Sequence, residues 1–593
     1  MPAPPFSGPP PSASALSCAT RPPGAEWAQA LSQWLGRPRS VRQVVLVLAV
    51  YLLLATNWPL WRTLVRIGGA PSLYAPMLLG MAWLLLAGTV ALLALTAWSR
   101  WMKPLWIALV ALAAAVQYHM AVYGTLMDPS MVANVLHTDP AEVHELLSLR
   151  LLLAVLGVTA PAALWLWRVP IAAERWWPRL WRGAVLLLLA LGGAAAGVAT
   201  MSRTLAPLMR NHTQLRYMMN PLASVWSAGV VALRPALARS RGLTPITAGA
   251  ALGPSYAAQA RPPLLVLVVG ETARADHLGL NGYARDTTPE LAARGVLSWR
   301  HVHSCGTSTL ASVPCMFSPL GQVAFESRDD ESENLLDVLQ AAGLAVLWLD
   351  NQGGGCKGVC DRVPHAQVND AAAHPRLCRA GECLDEVLLA GLDQRLAALA
   401  PERRARGVVL VLHPMGSHGP AYHKRSPEAF KRFGPECRNS ALSQCSHAEL
   451  VNAYDHSIAY TDHVLARTID WLRAQSGRFD TGLLYVGDHG ESLGEYGLYL
   501  HGLPYRLAPD VQKHVPMLAW FDGGLGRRAG LDGRCLRAGL DAPLTHDNLY
   551  PTVLGLMDVR SPTDRPALDA LAGCRTPPMA GRQGSAAPWV AKQ

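Results

Sequence analysis

The sequence predicts two parts of different fold class: a five-helix transmembrane domain followed by a soluble α/β domain with a mainly parallel central sheet. Three observations carry this. Five apolar runs, each long enough to cross a bilayer core, lie before residue 203. From Leu264 onward, short apolar runs alternate with helix-like segments. All cysteines but Cys18 fall beyond Ser304, in the second part alone. At 593 residues and 51% hydrophobic, the chain is too long for one ordinary domain and too apolar to be wholly soluble. Lys and Arg (52) exceed Asp and Glu (42), but no nucleic-acid motif accompanies the charge. It reads as membrane topology and an anionic partner instead.

Residues 1–40, rich in Pro, Ser and Ala, predict a disordered cytoplasmic tail without the apolar core of a signal peptide. Cys18 lacks the basic and apolar segments that precede a lipidation box, so a free thiol is expected. The apolar runs cover 41–62, 71–98, 104–123, 150–169 and 181–202. Arg37, Arg39 and Arg42, then Arg100 and Lys103, then Arg168, Arg175, Arg179 and Arg182 all fall on one side of such a bundle, which the positive-inside rule makes cytoplasmic. Arg62 and Arg66 are a contrary signal. Five spans place everything after residue 202 outside the cytoplasm.

The external loop 123–149 carries Asn134, Thr138 and Glu142 at helical spacing. They form either a solvated polar face or a site for a cationic or hydroxylated lipid head group, and Pro140 is able to open a second short helix. An interfacial connector, 203–262, follows. Its Arg210, His212 and Arg216 suit a helix lying on an anionic surface or a plain amphipathic linker. The ten cysteines of the second part pair in sequence order as Cys305–Cys315, Cys356–Cys360, Cys378–Cys383 and Cys437–Cys445, which leaves Cys535–Cys574. Disulfides of this kind imply an oxidising compartment. A structural zinc on Cys356 and Cys360 would need a second ligand pair at finger-like spacing, and none is nearby.

The soluble domain, 263–593, has apolar runs at Leu264–Val269, Ala345–Leu349, Val408–Leu412, Leu483–Val486 and Val515–Trp520. Four of the five lead directly into chemically capable residues: Glu271; Asp350 with Lys357; His413 with His418; and Asp488 with His489, then His501. Ligands of open α/β sheets bind outside the carboxyl ends of strands, so these residues converge on one rim. Glu271, Asp488 and His489 supply two hard oxygen ligands and an imidazole, a set suited to zinc, with Thr309 able to complete a tetrahedron. Thr309 lies in S-C-G-T-S-T-L-A-S-V-P-C-M-F-S, between two cysteines and at the predicted start of a helix. Such a hydroxyl is either a nucleophile or part of a polar turn.

The strand-G-E-T opening, the Thr309 segment, G-C-K-G-V-C-D, G-S-H-G-P and G-D-H-G-E-S-L-G-E with its later H-G resemble the membrane-anchored phosphoethanolamine transferases that modify lipid A, including the colistin-resistance enzymes. Five spans and N-x3-T-x3-E extend the resemblance over nearly everything after residue 40. It implies an alkaline-phosphatase/sulfatase-like catalytic domain in the periplasm of a bacterium, anchored in the inner membrane. Thr309 would be the nucleophile that carries phosphoethanolamine, with Zn2+ on Glu271, Thr309, Asp488 and His489. Lys357, His418 and His501 would line the phosphate site, and Asn134, Thr138 and Glu142 would recognise ethanolamine. The implied donor is phosphatidylethanolamine, and the acceptor lipid A or lipopolysaccharide. The protein would be a monomer, and loss of surface charge would confer polymyxin resistance. Gly354 departs from the pattern, since some members carry serine three residues before the lysine. The rival readings are transfer to core heptose or Kdo, a phosphoglycerol-transferring relative and a noncatalytic envelope sensor. A sulfatase is disfavoured because C-x-P-x-R is absent around Thr309.

Overall fold

The computed structural model describes residues 37–68, 71–97, 101–138, 140–172, 175–238, 242–258, 260–328, 330–379 and 382–575. Cys18 and nearly all of the N-terminal tail lie outside that set.

The first predicted span is broken. Helix α1 (Val41–Ala55) and α2 (Trp58–Gly68) meet at a bend of 59°. Pro59 supplies no N–H to a continuing helix, and the freed polar groups are taken up by side chains. Thr56 Oγ1 donates to Leu52 O (2.7 Å) and Asn57 Nδ2 to Asn220 O (2.8 Å), while Asn220 N donates to Asn57 Oδ1 (3.0 Å). The other spans are α3 (Pro71–Thr96), α4 (Met102–Val122), α7 (Leu149–Arg168) and α8 (Trp176–Asn211). Among the described residues, four helices are therefore long and apolar enough to cross a membrane, and the bent pair, counted as one span, makes five.

Three basic segments meet at one end of the bundle. Arg39 N donates to Pro170 O (3.0 Å), and Lys103 Nζ to Val169 O (2.7 Å). At the other end the helices extend toward the soluble domain. Helix α8 has 36 residues, about 54 Å at 1.5 Å per residue, well beyond a core of about 30 Å. Around Arg210–Arg216, read as a surface helix or an amphipathic linker, the helix stops at Asn211. His212 leaves helical geometry, and a 3-10 turn, Thr213–Met218, follows, because Leu215 and Met218 are buried. They join Leu60, Leu205, Leu208, Leu503 and Ala508 in an apolar seam between the two halves.

The external loop forms two short helices, α5 (Pro129–Leu136) and α6 (Pro140–Leu146). Asn134, Thr138 and Glu142 thus do not share one helix. The backbone breaks at His137, and Pro140 opens the second helix. Helix α9 (Leu222–Ala238) completes the N-terminal half.

The soluble domain is built on an eight-stranded sheet. Its strands are β1 (Pro263–Gly270), β2 (Leu297–His303), β3 (Ala345–Asp350), β4 (His365–Gln367), β5 (Val408–His413), β6 (Asp480–Gly487), β7 (His514–Phe521) and β8 (Leu544–Thr545). The order is β8-β2-β7-β6-β1-β5-β3-β4, parallel except where β7 pairs with β2 and β6. Strands β1, β5 and β6 are buried throughout, so they read as unbroken apolar runs in the sequence. Alternation still sorts their side chains: Leu265, Leu267 and Val269 face one core, and Leu264, Val266 and Val268 the other.

Helix α11 (His447–Gln475) covers the second core. Ser446 and Glu449 form a capping box at its start, and its Tyr454 reaches the loop after β1. There Tyr454 OH donates to Thr272 O (2.7 Å) and accepts from Arg274 N (2.9 Å). Both partners are buried, so Tyr454→Phe leaves two polar groups unsatisfied. A loss of about 1–3 kcal/mol in unfolding free energy is expected, read from chemical denaturation of the variant beside the wild type.

Candidate active site

Register brings the first two acids together. Strands β1 and β6 are parallel neighbours with Gly270 opposite Gly487, so Glu271 and Asp488 leave the sheet side by side. One strand further on, Asp350 and His413 end β3 and β5 as a pair, with His413 Nδ1 3.2 Å from Asp350 Oδ2. Helix α10 (Thr309–Met316) aims its N-terminus at this rim. Thr309 is its first residue, and Oγ1 lies 3.1 Å from Glu271 Oε2 and 3.4 Å from His489 Nε2. The Cys305–Cys315 disulfide closes the loop around it. The other bridges join Cys356–Cys360, Cys378–Cys383, Cys437–Cys445 and Cys535–Cys574.

Glu271, Asp488 and His489 are fully buried, with one ligand atom from each within 4.8 Å of the others. Thr272 N and His489 N both donate to Asp488 Oδ1 (3.1 and 2.7 Å), whereas Asp488 Oδ2 has no hydrogen-bond partner among the described residues. His489 Nδ1 lies 2.9 Å from Gly490 O; donating there leaves the Nε2 lone pair facing Glu271 and Asp488. Burial, and then Asp488, push the Glu271 carboxyl up to about 7. Burial pushes Asp488 up to about 6 and His489 down to about 4. Two buried carboxylates, a bare oxygen and a neutral imidazole with its lone pair inward form a donor set that fits a divalent cation.

Close backbone approach holds these groups. A Cβ on Gly490 would lie 2.0 Å from Val511 O, and one on Gly416 2.7 Å from Glu271 O. Thr272 adopts a φ of 49° beside Glu271, a left-handed conformation that costs a non-glycine residue about 1–3 kcal/mol.

Among the remaining predicted residues, His501 stands beside this centre and His418 beyond it. The His501 ring lies 4.2 Å from that of His489 and 5.7 Å from that of His418. Burial lowers both His418 and His501. Asn134 Oδ1 accepts from Ser308 Oγ (3.1 Å), the residue before Thr309, and Thr138 Oγ1 donates to Asn134 O (2.8 Å). The Glu142 side chain lies outside the described residues. Lys357 Nζ folds back to Gly354 O (2.9 Å) and stands 3.4 Å from His137 O of the membrane half. A Cβ on Gly354 would come within 2.4 Å of that nitrogen, so the glycine leaves room for the lysine.

Sequence reasoning left several supporting residues unassigned. Gln352 Nε2 donates to Glu271 Oε2. Glu491 bonds His501 Nδ1 (2.8 Å), accepts from Tyr422 OH, and is pushed up to about 8 by burial. His546 accepts from Cys305 N (3.1 Å) and lies 2.8 Å from Gly487 O, tying the Thr309 loop to β6. Glu491 sits within G-D-H-G-E-S-L-G-E, and Gln352 lies between Asp350 and Lys357, so their position was a usable signal. His546 has none, being 237 residues from Thr309 in sequence.

Family profiles match two segments: one described as "Sulfatase" over residues 263–559, and one as "Phosphoethanolamine transferase EptA/EptB" over residues 85–235. The chain is 40% identical over 466 residues to phosphoethanolamine transferase EptA of Salmonella typhimurium, covering 78% of this chain and 84% of that one. It is 39% identical over 466 residues to phosphatidylethanolamine transferase Mcr-1 of Escherichia coli, covering 77% and 84%. The structure aligns with that of the integral membrane lipooligosaccharide phosphoethanolamine transferase A (EptA) of Neisseria meningitidis with a TM-score of 0.83 and 34% identity, over 90% of this chain and 99% of that one. With its membrane helices, its sulfatase-like sheet and the acid-rich rim around Thr309, the chain belongs to the EptA/EptB phosphoethanolamine transferases of the alkaline phosphatase superfamily.

Proposed function

We propose that this enzyme transfers phosphoethanolamine from phosphatidylethanolamine to a phosphate of lipid A, at the outer face of the bacterial inner membrane, through a phosphoethanolamine-threonine intermediate on Thr309. The observation that carries the reading is the Thr309 hydroxyl at a helix N-terminus, 3.1 Å from a buried carboxylate of a cation-suited cluster. Glu271, Thr309, Asp488 and His489 would hold the ion. Bound there, Zn2+ supplies a Lewis acid that lowers the pKa of the threonine hydroxyl and offsets phosphoryl charge.

In the first step Thr309 Oγ1 forms a bond to the donor phosphorus and the bond to the glycerol oxygen breaks. His501 takes the threonine proton and returns it to the departing diacylglycerol. Its Nδ1 is occupied by Glu491, so Nε2 is the nitrogen that exchanges protons. Lys357 faces the non-bridging oxygens. Asn134, which bonds Ser308 beside the nucleophile, orients the ethanolamine end together with Thr138 and Glu142. In the second step a phosphate oxygen of lipid A attacks the same phosphorus, and Thr309 leaves with a proton relayed through His418. The product carries an ammonium near its phosphate, which weakens binding of cationic polymyxins.

Purified protein incubated with phosphatidylethanolamine and lipid A tests the reaction. Wild type is expected to release diacylglycerol, gain one phosphoethanolamine on intact-mass analysis and modify lipid A. Thr309→Ala should lose transfer by on the order of a thousandfold or more and gain no mass. Transfer by Thr309→Ala at the wild-type rate would remove the intermediate.

Zinc affinity should follow pH with a defined sign. The Glu271 and Asp488 carboxyls, raised to about 7 and about 6, are protonated in the empty site at pH 5.5 and mostly ionised at pH 7.5, while His489, at about 4, stays neutral throughout. Binding displaces those protons, so affinity rises with pH, by about a hundredfold over this interval. Chelator competition at the two pH values measures it, and affinity independent of pH would exclude the two carboxyls as ligands.

A further inference from the structure

The two basic residues that contradict the topology rule are explained by their position. Arg62 and Arg66 lie on α2, beyond the break in the first span, and line a cavity of about 820 Å3 between that helix and the catalytic domain. The other basic segments gather at the opposite end of the bundle. Both arginines are exposed, and among the described residues neither makes an ion pair or a side-chain hydrogen bond. Being four apart on a helix, they present two guanidinium forks toward one region. The facing wall includes Leu503 and Leu507. That wall backs directly onto the nucleophile loop: Leu503 O accepts from Thr307 Oγ1 (2.5 Å), and Gly502 N donates to Thr307 O (2.7 Å).

We infer that this cavity is a phosphate-binding subsite for the acceptor, in which Arg62 and Arg66 hold a phosphate of the glycolipid other than the one that reacts. The inference rests on the reading of the acceptor as a phosphorylated glycolipid. Paired guanidiniums match phosphate oxygens bidentately, and the apolar walls suit the lipid part of the same molecule. The donor does not meet the requirement, because its single phosphate is the one attacked at Thr309. A lipid held at Arg62 and Arg66 while another of its phosphates reaches Thr309 must carry at least two. Positive charge on the catalytic side of a short membrane segment works against insertion, so the pair serves something other than topology.

Full-length protein in phosphatidylethanolamine vesicles of varied phosphatidylglycerol content, given either bis-phosphorylated or mono-phosphorylated lipid A, tests this. Wild type is expected to show a kcat/KM about tenfold higher for the bis-phosphorylated acceptor. R62Q/R66Q should abolish that preference through loss on the bis-phosphorylated lipid alone, and R62K/R66K should keep part of it. Diacylglycerol release without acceptor reports whether each variant is folded and loads from the donor. If the double variant does not fold, the wild-type preference decides, and its absence overturns the subsite. Equal loss on both acceptors overturns it as well, as does a loss that follows the phosphatidylglycerol content of the vesicle rather than the acceptor's phosphates. Transfer by wild type to neither lipid would instead remove the acceptor reading, and the subsite with it.

Discussion

Two like charges forced together in a dry place organise this protein. The in-register parallel pairing of β1 and β6 leaves the carboxyls of Glu271 and Asp488 adjacent and fully buried, where neither water nor distance reduces their repulsion. Burial raises both toward neutrality, Asp488 adds to the shift of Glu271, and backbone N–H groups on one oxygen of Asp488 and the Gln352 amide on Glu271 offset part of the cost. That is a partial solution, since one carboxylate oxygen has no partner among the described residues. A divalent cation would satisfy all of it at once, and the helix N-terminus brings the Thr309 hydroxyl to the same cluster.

The surroundings hold that hydroxyl in position. The Cys305–Cys315 bridge and His546 fasten the loop ahead of α10 to the end of β6. Glycines 416 and 490 allow backbones to pass where a methyl group would collide. Glu491, which accepts from Tyr422 OH, occupies Nδ1 of His501 and so fixes that imidazole's orientation.

The membrane half is part of the site's construction as well as its anchor. The apolar seam joins α2 and α8 to the 503–508 segment of the catalytic domain. Asn134 meets Ser308, Lys357 meets His137 O, and Glu145 accepts from Lys424 (2.6 Å) and Arg425 (3.2 Å), whose Nε donates to His418 O (2.8 Å). For a phosphoethanolamine transferase of lipid A modification, fixing the rim against the bilayer raises the effective concentration of a lipid acceptor at Thr309.

The central strands were legible because parallel strands buried on both faces are long apolar runs, and the rim chemistry because strand ends are where such sheets place their ligands. All five predicted strands are present, each within a few residues of its expected ends. Local signals also located Thr309, the acids after β1 and β6, and Pro140. They did not show the break at Thr56–Asn57, because hydropathy runs through it; the polar groups that fill it come from Asn220, 163 residues away. Nor did they show that Asn134 and Glu142 fall on different helices, or that Gln352 supports Glu271. Sequence by itself determined the two-part architecture, the strands and the chemical types available at their ends, since periodicity and composition act over a few residues. Tertiary structure alone decided which groups meet, because strand register, the approach of α10 and the seam between the halves are set by contacts hundreds of residues apart, where no local pattern records them.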